Sequence, residues 1–307
     1  MSAGLAAEMG RAAVAARPRA ARGAWSVGRA LLLLPLLALF VGFFVLPLLV
    51  MGAISLLTGN PVNDENVRFT LANYGKLFSD PFYLEVLGVT LKLGLITTIL
   101  AILIGYPLAY QLARARSPKV RTLLLVAVLS PMLTGIVVRT YAWMTLLADH
   151  GVINSFLGSL GLIEQPLPLM YNQLGVVVAL VHIFTPFMVL TLTGVIGKLD
   201  PRLEEAARSL GASRPRAFLE VTLPLSMPGI LAGSLLVFSL TISSYVTPIL
   251  MGGFSILTLP ILIYQQINGV FNFAFGAALA FLLLAVSLVL VVLYFRIVKR
   301  IAAGAFA

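Results

Sequence analysis

Long apolar runs separated by short polar ones dominate this sequence. A run near twenty residues is the length that crosses a hydrocarbon core of about 30 Å at about 1.5 Å per helical residue. Six such runs occur, near residues 32–54, 87–110, 122–145, 173–196, 228–250 and 276–295. The 307 residues are 60% hydrophobic and only 10% charged, against roughly a quarter charged in soluble proteins. A water-soluble chain of this size has nowhere to put so much apolar side chain, so its solvent must be lipid. The expected fold class is all-α: a polytopic membrane protein with six transmembrane helices. The basic start ahead of the first run also suits a secretory signal, but the run is longer than a signal's apolar region and is read as a retained helix.

The net charge of +10 is resolved by position. With the N-terminus in the cytoplasm, the inner segments carry Arg11, Arg17, Arg19, Arg22 and Arg29; Arg114, Arg116, Lys119 and Arg121; Lys198, Arg202, Arg208, Arg214 and Arg216; and Arg296, Lys299 and Arg300. Arg68, Lys76, Lys92 and Arg139 fall on the outer side. Because Lys and Arg resist translocation, seventeen of the 21 on one side sets both termini in the cytoplasm. The basic excess thus needs no nucleic-acid partner, and a bilayer is partner enough. The organisation is a basic tail over 1–30, a six-span domain over 31–297 with a cytoplasmic loop at 198–227, and a C-terminal tail over 298–307. Gly252 to Phe275 is uncharged and holds Tyr264, Phe271, Phe273 and Phe275. That suits an interfacial aromatic belt, with a partly re-entrant segment left open.

Cysteine is absent and the only histidines are His150 and His182, so no metal, cofactor or catalytic site is expected in this chain. The P-loop pattern is missing as well, because Gly197-Lys198 lacks both the upstream Gly and a following Ser or Thr.

The loop at 198–227 is long for a helix connection. Its first part is a specified helix: Asp200 as N-cap, Pro201 in the first position, and Gly211 where a left-handed cap stops it. Leu203, Ala206, Ala207 and Leu210 make an apolar stripe, and Glu204 with Arg208 an i, i+4 pair. An amphipathic helix of this kind suits docking into another protein's groove. Its alanine-rich stripe, without Trp or Phe, would bind lipid headgroups weakly.

Glu205-Ala206-Ala207, Gly211, Val221, Leu223 and Pro224 at their spacing resemble the EAA loop of ABC importer permeases, the inner-membrane components of binding-protein-dependent transport systems. Phe69 to Tyr74, Arg139 to Trp143, and Ser244 to Pro248 with Gly252-Gly253 are similar to segments of the spermidine/putrescine branch. The pattern departs at Ser243 and Ser244, where an acidic or glycine-rich variant is typical of polyamine members. The resemblance covers about residues 69–278. It implies an ABC importer permease-like bundle in a bacterial inner membrane, multi-pass, carrying a small organic solute such as a polyamine. It also implies partners: an ABC ATPase subunit dimer that supplies ATP and Mg and receives the loop, a second six-span permease subunit, and an extracytoplasmic solute-binding protein. The chain itself is then not an enzyme. An ion-coupled secondary transporter and a non-transporting scaffold that recruits a soluble partner through the loop are the alternatives. None of the six core segments contains an Asp or Glu, which argues against proton-driven antiport.

Polar residues inside the spans complete the candidate set. Lys92 reads as snorkelling to the headgroups. Arg139 must face protein or a wet cavity, held by a carbonyl or helix end or placed along the path. His182, four residues before Pro186, is expected to hydrogen-bond between helices. Arg139, Tyr141, Trp143, Ser243, Ser244, Tyr245 and Thr247 are candidates for the translocation path, or for packing between helices.

Overall fold

Gln173–Ile196 contains no charged residue, and in the computed structural model it is a single helix around which its neighbours pack. The model describes residues 27–59 and 67–305, with side chains over 34–59 and 67–297. The leader arginines Arg11, Arg17, Arg19 and Arg22 lie outside the described residues. Contacts divide the chain into two units, Met1–Ala53 and Ile54–Ala307. The first unit contains most of helix α1, which runs from Val27–Phe40 through a π-turn at Val41–Val45 into Leu46–Ser55.

The second unit continues with α2 (Ala72–Ser79), α3 (Pro81–Arg114), α4 (Pro118–Leu129) and α5 (Ile136–Leu147). Then follow α6 (Val152–Ser159), α7 (Gln173–Ile196) and α8 (Pro201–Ser209). Helix α9 spans Arg214–Ile242 with a π-turn at Phe218–Thr222. The last three are α10 (Val246–Gly252), α11 (Leu259–Tyr264) and α12 (Phe273–Ala305). No strand occurs among the described residues, only an isolated bridge between Leu57 and Phe69.

Among the described residues five helices are long and apolar enough to cross a membrane, and a sixth crossing is made if the bent pair Pro118–Leu133 and Ile136–Ser159 counts as one. The third run is therefore not the straight span expected at 122–145. Its two halves meet at 100°. The bend has local causes: a 3-10 turn at Ser130–Leu133 carries Pro131, and Thr134 is extended with its hydroxyl donating to the Pro131 carbonyl at 2.8 Å.

The core is the trio α3, α7 and α9. Two-thirds of the α7 span is buried, against one-third for α3 and α9 and about one-tenth for α12. Apolar side chains left outside, such as Leu95, Leu103, Val289 and Phe295, are exposed because their solvent is lipid. Helix α7 starts on the Asn172 side chain, which accepts from the Gly175 N–H at 3.0 Å. Its buried Thr185 hydroxyl donates back to Val181 O at 2.6 Å, so this donor is not stranded in the apolar interior. Between α7 and α9 the backbones come close at Gly229, where a Cβ would stand 2.9 Å from Val195 Cβ.

The uncharged stretch after α10 folds back against α3. Leu259 and Leu262 of α11 pack with Leu77, Tyr83 and Phe275, and the Leu259 N–H donates to Thr90 Oγ1 at 2.9 Å. The aromatics expected there as a belt divide: Tyr264 and Phe271 are exposed, and Phe275 is buried under the Lys76 ammonium.

Candidate functional site: a cytoplasmic helix gripped by one face of a long span

The cytoplasmic helix α8 is built as its sequence dictates. The Asp200 carboxylate accepts from the Arg202 N–H at 2.9 Å and Pro201 is the first helical residue. Gly211 ends the helix at φ +97, a backbone conformation that side-chain-bearing residues rarely adopt.

Two expectations for this helix change. Glu204 does not pair with Arg208: its carboxylate accepts from the Tyr110 hydroxyl, at 3.1 and 3.2 Å to its two oxygens. Among the described residues the only ion pair is Arg216 with Glu220, at 2.9 Å. The apolar stripe also splits. Leu203, Ala206 and Leu210 are exposed, Leu210 at 91%, and Ala207 is half-buried toward the bundle. These three apolar residues make an exposed face that nothing among the described residues covers.

The grip on α8 comes from α3. Tyr106, Tyr110 and Arg114 are four residues apart and so stack on one face over successive turns. Tyr106 hydroxyl bonds Ser226 Oγ of α9 at 2.7 Å, in the buried core. Tyr110 holds Glu204, and an Arg114 Nη donates to Leu199 O at 3.0 Å, just ahead of α8. Phe218 inserts edge-on between the two tyrosine rings, at 5.5 and 5.6 Å. Val221, Leu223 and Pro224, expected within a loop, are already helical, because α9 begins at Arg214. Thus α8 is fastened at both flanks to continuous span helices. Sequence reading missed Tyr106, Tyr110 and Phe218; the four-residue spacing of the first two with Arg114 was the available signal.

The outer polar candidates fall into two groups. Arg139 and Trp143, one turn apart on α5, face α7: an Arg139 Nη donates to Ile183 O at 3.4 Å, and Trp143 meets the His182 ring edge-on at 5.4 Å. A carbonyl partner for Arg139 is one of the expected arrangements. His182 is in ring contact, with no side-chain hydrogen bond among the described residues. Beside them a cavity of about 420 Å³ opens between α3, α4, α5 and α7, with Trp143, His182 and Pro186 on its wall. Tyr141 points elsewhere and is 54% exposed.

The second group sits where span five breaks. Helix α9 ends at Ile242 and α10 starts at Val246, so Ser243, Ser244 and Tyr245 form the break, and Pro248 lies inside the next helix. Span five, expected as one run near 228–250, therefore breaks ahead of Pro248. Thr247 of α10 bonds Thr140 of α5 at 3.0 Å between hydroxyls. Tyr245 stacks near Tyr264 with ring centroids 4.6 Å apart. Ser243 is exposed, and the buried Ser244 hydroxyl has no partner among the described residues.

A polytopic helical bundle that presents a capped helix with an uncovered apolar face defines a membrane component with a surface for a further protein. Residues 29–303 match the family model described as binding-protein-dependent transport system inner membrane component, and the chain belongs to that family. It is 39% identical over 254 residues to the spermidine/putrescine transport system permease protein PotB of Escherichia coli K12, covering 83% of this chain and 92% of that protein. The PotB protein of Salmonella typhimurium SL1344 is 38% identical over 254 residues, with 83% and 88% covered. Among solved structures, a bacterial alginate ABC transporter in complex with an alginate-bound periplasmic protein superposes with a TM-score of 0.73 at 18% identity, covering 89% of this chain and 94% of that one. That likeness fixes the fold.

Proposed function

We propose that this permease forms one half of the membrane path of a bacterial inner-membrane ABC importer, that an ATPase subunit receives α8, and that the cargo is a polyamine. The observation that carries the coupling role is the double fastening of α8. Tyr110 and Arg114 tie it to α3, and Phe218 ties its downstream flank to the same face. A push on the exposed Leu203, Ala206 and Leu210 face then moves span helices rather than a loose loop. Glu205, exposed on the same helix, offers the ATPase a charge-assisted contact.

The polyamine assignment rests on the identity to the two PotB proteins over most of their length. Tyr245 and Tyr264 pack against each other at the broken end of span five and leave Tyr264 exposed, and an alkylammonium over an exposed ring face is attracted by about 0.5–2 kcal/mol. ATP and Mg belong to the ATPase partner in this reading, a second permease completes the path, and an extracytoplasmic binding protein delivers the solute.

The test is reconstitution of the four-component complex in vesicles. Labelled spermidine or putrescine should accumulate only with ATP and binding protein present. Accumulation that continues in ATP-depleted vesicles under an imposed ion gradient would instead establish a secondary carrier.

A further inference from the structure

A cavity of about 900 Å³ opens at the cytoplasmic end of α3, and four arginines line it: Arg114, Arg116, Arg208 and Arg214. Two acids share the wall, Glu204 and Glu205. Glu204 is occupied by the Tyr110 hydroxyl, and none of the four guanidiniums has a carboxylate partner among the described residues. Arg114 uses an Nη on Leu199 O, while its buried Nε has no acceptor among the described residues. A buried donor left without an acceptor costs free energy that a bound group would recover.

On the reading proposed above, the cavity lies on the other side of α8 from the apolar docking face and shares with the ATPase only the exposed Glu205 at its rim. At about 100° per residue, Pro201, Glu204, Glu205 and Arg208 occupy one arc of α8, and Leu203, Ala206 and Leu210 the opposite one. An ATPase held on the apolar arc leaves the arginine arc open. By charge the four arginines lie on the cytoplasmic side, around the point where α3 ends and α4 begins.

We infer that this cavity is an anion site for a phosphate group, held in the forks of Arg116, Arg208 and Arg214 with Arg114 Nε at its floor. Guanidinium forks match phosphate oxygens two at a time, which a lysine patch does not do. Two sources share this chemistry: the headgroup of an anionic phospholipid, and free inorganic phosphate. Basic pockets on the cytoplasmic side of membrane helices favour the first. The Phe218 ring on the same wall offers apolar surface to the glycerol end of a lipid.

Native mass spectrometry of the full chain in mild detergent tests it, with dioleoyl phosphatidylglycerol, dioleoyl phosphatidylcholine and inorganic phosphate as probes. The wild-type chain should retain phosphatidylglycerol over phosphatidylcholine. In the double variant Arg116→Gln/Arg214→Gln, both sites being exposed, retention should fall about fivefold per arginine, or about 25-fold. The control Lys119→Gln/Arg121→Gln removes the same charge from the same side outside the cavity and should weaken retention about twofold at most. Retention of phosphatidylglycerol without inorganic phosphate identifies the lipid headgroup as ligand; retention of both identifies a general phosphate site. Equal losses in the two double variants, no loss in the cavity variant, or no wild-type retention of either anion overturns the proposal.

Discussion

Tyr110 and Gly211 show how single residues set the working part of this protein. The Tyr110 hydroxyl is the only described partner of the half-buried Glu204 carboxylate. Tyr110→Phe should cost about 1.5–3 kcal/mol of the fastening between α3 and α8, the range for a hydrogen bond to a charged group. Solute carried per ATP hydrolysed should drop while the ATPase still co-purifies; an unchanged ratio removes Tyr110 from the coupling. A Cβ added at Gly211 would meet nothing within 4 Å, so space is not the constraint there; φ +97 is. Gly211→Val should therefore strain the turn by about 1–3 kcal/mol and lower uptake, whereas Gly211→Asn, which tolerates positive φ better, should retain more of it. Vesicle uptake assays with the two variants side by side check the order. Gly211 was legible from its place after a capped amphipathic helix. Tyr110 was not, because its partner lies 94 positions away.

Among the elements, the continuous spans were read closely and the broken ones were not. Helix α7 begins and ends at the expected 173 and 196, since its hydropathy, its Asn172 cap and the turn after it are all local. The bend between α4 and α5 and the break after α9 were missed because an apolar run looks the same whether it is straight or folded. The Pro131 turn bends the first of them locally, and the two broken segments also hold each other through the Thr140–Thr247 contact between α5 and α10. Thr247→Val should remove that contact while Thr140 keeps its bond to Ile136 O, for a loss of about 0.6–1.7 kcal/mol and a small fall in Tm. A larger helix-level effect is expected at Gly229→Leu. It forces α7 and α9 apart against the β-branched Val195, costs about 1–3 kcal/mol or more, and shows as a clear drop in the melting temperature of the detergent-solubilised protein.

For the whole molecule, orientation follows from charge. A fluorescent protein fused after Ala307 should fluoresce and an alkaline phosphatase at the same point should stay inactive, as the distribution of Lys and Arg requires. Sequence alone determined the all-α membrane class, the existence and caps of α8, and the family. Each of these rests on composition, charge or spacing within one turn or one span, where the residues themselves carry the energy. Tertiary structure decided what those elements do together: which face of α8 remains free, that one face of α3 grips both its flanks, and that four arginines from separate segments, 114–116, 208 and 214, meet around one cavity. Such groupings depend on how helices pack, and packing energy is set by side chains far apart in the chain, so no local pattern announces it.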